Sequence, residues 1–160
     1  MSIVLDGTAG ITFPSGSGTQ AAQSKVLQVV SVSSTTNTST TGAAYVQWGQ
    51  ALSITPIFST SKILISHFAT WYSTATNNSI YVTFYRNSTN LDLGNGRGFQ
   101  ETNYNGSAIG MPVAIQYLDS PSTTSSTTYS VYFRNSVNNG TLYYNTDGAG
   151  ATITLMEIAA

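Results

Sequence analysis

Side chains able to do acid–base or nucleophilic chemistry are few in this chain of 160 residues: one histidine, six carboxylates and no cysteine. A Ser-His-Asp site needs an imidazole as its base. The sole candidate, His67, sits in the middle of the apolar run Lys62 to Tyr72, and no Gly-x-Ser-x-Gly elbow occurs anywhere. That setting favours a core or interface histidine with a hydrogen-bond partner. Glu157, which shares a strand face with Ile153 and Leu155, is one candidate for the partner. Paired carboxylates for glycoside hydrolysis would have to come from Asp6, Asp92, Glu101, Asp119, Asp147 and Glu157. Five of these lie in or beside predicted turns, where Asp is common for backbone reasons. The stretch Leu91 to Gly98 is glycine-rich but lacks the Lys-Ser/Thr of a phosphate loop. Asp92 and Asn95 supply too few carboxylates for a calcium site. Without cysteine there are no disulfides, thiolate zinc sites or cysteine nucleophiles. The expectation is a protein that is not an enzyme and uses no cofactor and no metal.

Charge points the same way. Only 7% of residues are charged, with a net charge of -1, against about 25% in an ordinary soluble domain. Such a chain has no field to attract a phosphate backbone or an anionic membrane, so neither nucleic acid nor membrane is expected as a partner. The opening Met1 to Gly7 has no basic region and a short apolar run, so no export signal is expected there, and no segment is apolar for long enough to span a bilayer. Asn37, Asn77, Asn87, Asn105 and Asn139 each begin an Asn-x-Ser/Thr triplet, which so Asn/Ser/Thr-rich a chain generates readily; none is read as glycosylated.

Ser, Thr and Asn supply 58 of the 160 residues. Their short polar side chains compete with the helix backbone for hydrogen bonds, while Thr favours strands. Apolar residues recur in short runs between turn clusters, at the 8 to 12 residue spacing of a sandwich or barrel. The pattern predicts an all-β domain with nine strands: Val26 to Ser33, Tyr45 to Trp48, Leu52 to Phe58, Lys62 to Tyr72, Ile80 to Arg86, Met111 to Leu118, Thr127 to Arg134, Thr141 to Asn145 and Ala151 to Ile158. The Gly/Asn stretch Leu91 to Gly110 is the one connection long enough to read as a working loop. Within it Arg97, Phe99, Asn103, Tyr104 and Asn105 could stack on and hydrogen-bond a host-surface glycan.

Residues 1–24 read differently. Ile3-Val4-Leu5 and Ile11-Thr12-Phe13 flank a Gly-containing turn, followed by a Pro/Ser/Gly linker. A hairpin this small is marginal alone in water. Its apolar residues Ile3, Val4, Leu5, Ile11 and Phe13 are better explained by docking on a larger assembly, which makes 1–24 an attachment arm and 25–160 the domain proper.

Several strands have no cleanly polar face. In Lys62 to Tyr72 one face carries Ile63, Ile65, His67, Ala69 and Trp71, and the other Leu64, Ser66, Phe68, Thr70 and Tyr72. Ile80 to Arg86 and Thr127 to Arg134 are similar, with Tyr and Thr opposite the apolar face. A sandwich strand needs one buried face, so the second face predicts association with other subunits, and the ten tyrosines suit an interface.

Four stretches in register carry a family resemblance: Leu52-Ser53-Ile54-Thr55-Pro56 with Ser59 to Ile65, then Phe84 to Thr89, then Tyr129 to Arg134, then Ala151 to Ala159. Over about residues 25–160 the chain resembles tailed-bacteriophage virion proteins, the tail-fibre tips and capsid decoration proteins whose knobs are trimeric jelly rolls similar to tumour-necrosis-factor and C1q heads. The resemblance implies an antiparallel jelly-roll sandwich of two sheets behind a short N-terminal β-hairpin arm. It implies a homotrimer seated on a major capsid protein or another virion protein, located in the virion after assembly in the host cytoplasm. The short arm suits a capsid decoration or cement protein; the alternative is a tail-fibre tip that binds a host receptor or glycan.

Overall fold

The computed structural model describes residues 4–6, 10–12, 26–74, 76–106 and 108–160. These residues are all-β, with thirteen strands among them: β1 (Val4–Asp6), β2 (Gly10–Thr12), β3 (Val26–Ser34), β4 (Thr38–Thr40), β5 (Val46–Ile54), β6 (Lys62–Ser73), β7 (Asn78–Arg86), β8 (Thr89–Asn90), β9 (Gln100–Tyr104), β10 (Ile109–Asp119), β11 (Thr127–Asn135), β12 (Leu142–Tyr144) and β13 (Ala151–Ile158). A single 3-10 turn spans Thr146–Gly148.

β1 and β2 form the expected hairpin, Val4 opposite Thr12 and Asp6 opposite Gly10. Ile3 and Phe13 lie outside the described residues, and of Val4, Leu5 and Ile11 only the backbone is described. The rest is a two-sheet antiparallel sandwich. One sheet runs β3-β13-β6-β10, with β12 continuing the β13 side of β6 and β4 beyond it. The other runs β5-β11-β7-β9, with β8 folding back on β7. Among the eight main strands the first pairs the last (β3 with β13), the second the seventh (β5 with β11), the third the sixth (β6 with β10) and the fourth the fifth (β7 with β9). This is a long hairpin rolled up on itself, the topology of a jelly roll.

Period-two alternation fixes each strand's inward face. Ala151, Ile153, Leu155 and Glu157 of β13 are buried, as are Ile63, Ile65, His67, Ala69 and Trp71 of β6. They meet Ile80, Val82 and Phe84 of β7 and Tyr129, Val131 and Phe133 of β11 in one core with Trp48 and Tyr144.

Three features depart from the sequence expectation. Tyr45 to Trp48 and Leu52 to Phe58 are not two strands but parts of the single strand β5, which stops at Ile54. Opposite β11 the register passes from Ala51 facing Ser130 to Gln47 facing Tyr132, so β5 bulges around Gly49 instead of turning. β4 and β8 are too short to leave a pattern. β9 lies inside the segment expected to be a loop. As an edge strand bonded to β7 alone, it has no need of alternating apolar residues, and Gln-Glu-Thr-Asn-Tyr shows none.

Candidate functional site

His67 is sealed in the core and satisfied at both ring nitrogens. Its Nδ1 lies 2.6 Å from the Thr152 carbonyl, which only accepts, so the proton sits on Nδ1. Nε2 then accepts from the Tyr144 hydroxyl at 2.9 Å. The Tyr144 ring stacks on the imidazole and Trp48 flanks it at 5.4 Å. Burial depresses the pKa to about 4, so the ring is neutral at physiological pH and poorly placed for proton transfer with solvent. Glu157 is not its partner: the Glu157 carboxylate accepts from Gln28 Nε2 at 2.6 Å and from the Ile57 amide at 2.7 Å. Burial raises the Glu157 pKa, but these bonds outweigh it and hold it below the ordinary carboxylate value.

The other described carboxylates are equally engaged. Asp119 is buried where the two sheets meet, taking the Arg86 guanidinium at 3.0 Å and the Tyr129 hydroxyl at 2.7 Å. Glu101 pairs with Arg97 at 2.9 Å. Asp92 accepts from the Gly94 amide, and Asn95 from the amides of Arg97 and Gly98, so both shape the loop's own backbone. Among the described residues no group of three or more His, Asp or Glu side chains gathers into a metal-holding set.

The outward face of the second sheet explains the two-faced strands differently from the subunit cover expected. Segment 91–98 folds back over β7, and Gly98 sits so close that a Cβ there would stand 2.2 Å from the Val82 carbonyl oxygen. Arg134 pins this segment, donating to the Gly96 carbonyl at 2.7 Å while its guanidinium lies over the rings of Tyr81 (4.4 Å) and Tyr45 (5.0 Å). Tyr85 and Tyr132 stack beside them at 3.9 Å. The Tyr81/Thr83 face of β7 is therefore buried by the chain's own loop.

Of the four glycan-loop residues whose side chains are described, Asn103 and Asn105 come together, while Arg97 and Phe99 lie apart from them. Phe99 turns inward against Tyr117 (4.7 Å) and Phe84 (5.5 Å), so it is partly buried against the core and not an exposed stacking group. Arg97 is exposed and held by Glu101. Asn103 accepts from the Ser79 hydroxyl and, with Asn105, Asn77 and Asn78, lines a polar hollow of about 240 Å³ at the far end of β9. Tyr104 ends β9, and its side chain lies outside the described residues.

The outward face of the first sheet is left uncovered by the described chain. Register places Val29 beside Met156, Met156 beside Leu64, and Leu64 beside Leu118, an apolar row across all four strands. Val29 is 53% exposed and Leu118 45%. Exposed Val26, opposite Ile158, flanks the row on one side. On the other is a hydroxyl row, Ser31 bonded to Thr154 and Gln116 to Ser66, and beyond it Phe68, 48% exposed. The described face carries Lys62 at one end and no other charge. No sequence signal separates this uncovered face from the self-covered one of β7, since both read as Tyr/Thr mixed with apolar residues.

Fold and faces together define a jelly-roll domain with an uncharged, partly apolar outer sheet and no assembled catalytic centre among the described residues. No protein-family model and no curated protein matches the chain. Among solved structures it is similar to that of the infectious bursal disease virus Gx strain, with a TM-score of 0.40 and 14% identity over 83% of this chain. It is also similar to the infectious bursal disease virus VP2 subviral particle, with a TM-score of 0.40 and 12% identity over 82%. The chain spans 37% and 38% of those two chains.

Proposed function

We propose that this chain is a non-enzymatic building block of a virion, a capsid decoration or cement protein that self-associates as a homotrimer and docks through its N-terminal arm. The observation that carries this reading is the neutral outer face of the first sheet. The apolar row Val29, Met156, Leu64 and Leu118 lies open, with Val29 53% and Leu118 45% exposed, a contiguous exposed patch of the kind that marks an interaction site. Between Lys62 and Phe68 the face measures about 20 Å across four strands and about 20 Å along β6, a core patch smaller than the ~800 Å² per partner of a standard interface. A face with almost no charge can pack against a different neutral surface of a second copy, as a threefold ring requires, because bringing them together strands no ion. Burial of the apolar part is the favourable contribution set against the loss of rotational and translational freedom on association. Cementing would follow from surface buried between neighbouring capsomers, which raises the cost of separating them.

Sedimentation velocity on the full chain at micromolar concentration tests the oligomer. A trimer is expected, with a doubly substituted Val29→Glu/Leu118→Glu protein running as a folded monomer. A wild-type monomer would overturn the assembly reading. Particles lacking the chain should lose heat stability; equal stability would remove the cement role. The second reading, a tail-fibre tip touching a host receptor or glycan, rests on the exposed Arg97 and Asn103/Asn105 edge. Labelling that finds a few copies on the tail instead of hundreds on the shell would favour it.

A further inference from the structure

Two hollows lie side by side at the Tyr72 end of the first sheet, away from the apolar row. One, of about 450 Å³, is lined by Thr70, Trp71, Tyr72, Met111, Pro112 and Thr146 among others. Its neighbour, of about 340 Å³, is lined by Asn37, Tyr72, Thr74, Tyr143 and Thr146. Tyr72 and Thr146 belong to both, so the hollows form one trough that crosses β10, β6 and β12 and ends at Asn37, just before β4. At ~4.8 Å per strand spacing the trough is about 14 Å long.

Its chemistry is specific. Tyr72 is 38% exposed and tilts toward Tyr143 at 6.2 Å, giving two aromatic faces. The remaining lining offers hydroxyls, an amide, a proline and a methionine, and no cation. Two polar atoms here are buried without partners. Thr70 Oγ1, on the lining of the first hollow, is one. The other is Oδ1 of Asn145, the residue before Thr146. Asn145 is held left-handed (φ 60°) while its Nδ2 donates to the Ser34 and Thr36 carbonyls, which fixes the side chain with its oxygen unmatched. Orphaned polar atoms and a left-handed non-glycine residue are both unfavourable to the free fold, and they cluster at ligand sites.

We propose that this trough binds a neutral oligosaccharide of two to three pyranose rings. Tyr72 and Tyr143 would stack on the apolar sugar faces, and a turn of the Thr70 side chain about χ1 would bring its Oγ1 to a sugar hydroxyl. The absence of a lining cation selects against sialylated, sulfated or phosphorylated sugars. This goes beyond the assembly reading and is independent of it, because the Val29→Glu/Leu118→Glu protein keeps the trough intact.

Saturation-transfer NMR on the full chain, with maltotriose, cellotriose, chitotriose, mannotriose and sialyllactose as probes, tests it. At least one neutral trisaccharide should bind, wild type and the Val29→Glu/Leu118→Glu protein alike. Tyr72→Ala should weaken that binding by tenfold or more. Thr70→Val should weaken it several-fold while the melting temperature stays level or rises, since the variant removes an orphaned hydroxyl; a merely structural Thr70 would not separate the two readouts. Absence of binding by every neutral probe at about 10 mM, affinity unchanged in Tyr72→Ala, or preference for sialyllactose would each overturn the proposal.

Discussion

The buried histidine makes a quantitative prediction about pH. His67 titrates near 4 in the folded chain and near 6.5 when unfolded, so below pH 6.5 the unfolded state binds the extra proton. Stability is then fully present above pH 6.5 and falls as the pH drops toward 4. Between pH 7 and pH 5 the loss from this one group is about 2 kcal/mol, rising to about 3 kcal/mol below pH 4. Because His67 is the only histidine and ordinary carboxylates titrate lower, the window from pH 5 to 6.5 isolates it. Urea unfolding at fixed protomer concentration across this window should show the loss with an unchanged m-value. His67→Gln should be less stable at pH 7 but flat from pH 5 to 7. A wild-type profile that is itself flat there, or an imidazole proton resonance titrating near 6.5 in the folded protein, would refute the sealed-histidine geometry.

Other perturbations probe the pieces that hold the faces in place. Asp119→Asn removes the charge that Arg86 and Tyr129 share at a buried position and should cost about 3 kcal/mol by urea unfolding, while Arg86→Met/Asp119→Leu should recover much of it. Gly98→Ala puts a methyl 2.2 Å from the Val82 oxygen at φ +79° and should destabilise by about 2 kcal/mol or more, with hydrogen exchange rising at β7. Association through the first sheet should be nearly insensitive to sodium chloride and strengthened by sulfate, as sedimentation can check, because apolar burial and not ion pairing drives it.

How much of this was legible in the sequence differs from element to element. β13 was readable to the residue because Ala151, Ile153 and Leu155 alternate cleanly with outward residues and the strand is covered on one face. β5 was misread as two strands because Gly49 marks both a turn and a bulge, and only the partner strand's register distinguishes them. β9 left no trace, since an edge strand needs backbone bonding and little else. The placement of Phe99 was hidden for a related reason. Phe99 resembles any exposed loop aromatic until Gly98 is bridged to Val82 before it, β9 begins after it, and its ring turns against Phe84 and Tyr117. The Tyr72 trough was invisible because Asn37, Tyr72, Met111, Tyr143 and Thr146 come from distant stretches that only the rolled topology brings together.

The scarcity of charge takes on its meaning from where the few charges stand. Arg86 and Asp119 neutralise each other near the sheet junction, Arg97 and Glu101 do so on the second sheet, and Glu157 is held by Gln28 and a loop amide. Arg134 sits among carbonyls and tyrosine rings, pinning a loop, and Asp92 caps a turn in that same loop. Each of these charges maintains the sandwich or covers its second sheet. Almost none is left for the outer face of the first sheet. A free monomer gains nothing from such an arrangement, because exposed charge is what keeps copies apart in solution. Copies that must meet repeatedly do gain, since a neutral face has no like charges to repel and no ions to desolvate. The asymmetry between a β7 face covered by the chain's own loop and an uncovered, nearly uncharged first sheet is therefore what supports the proposal that the chain is one unit of an assembly.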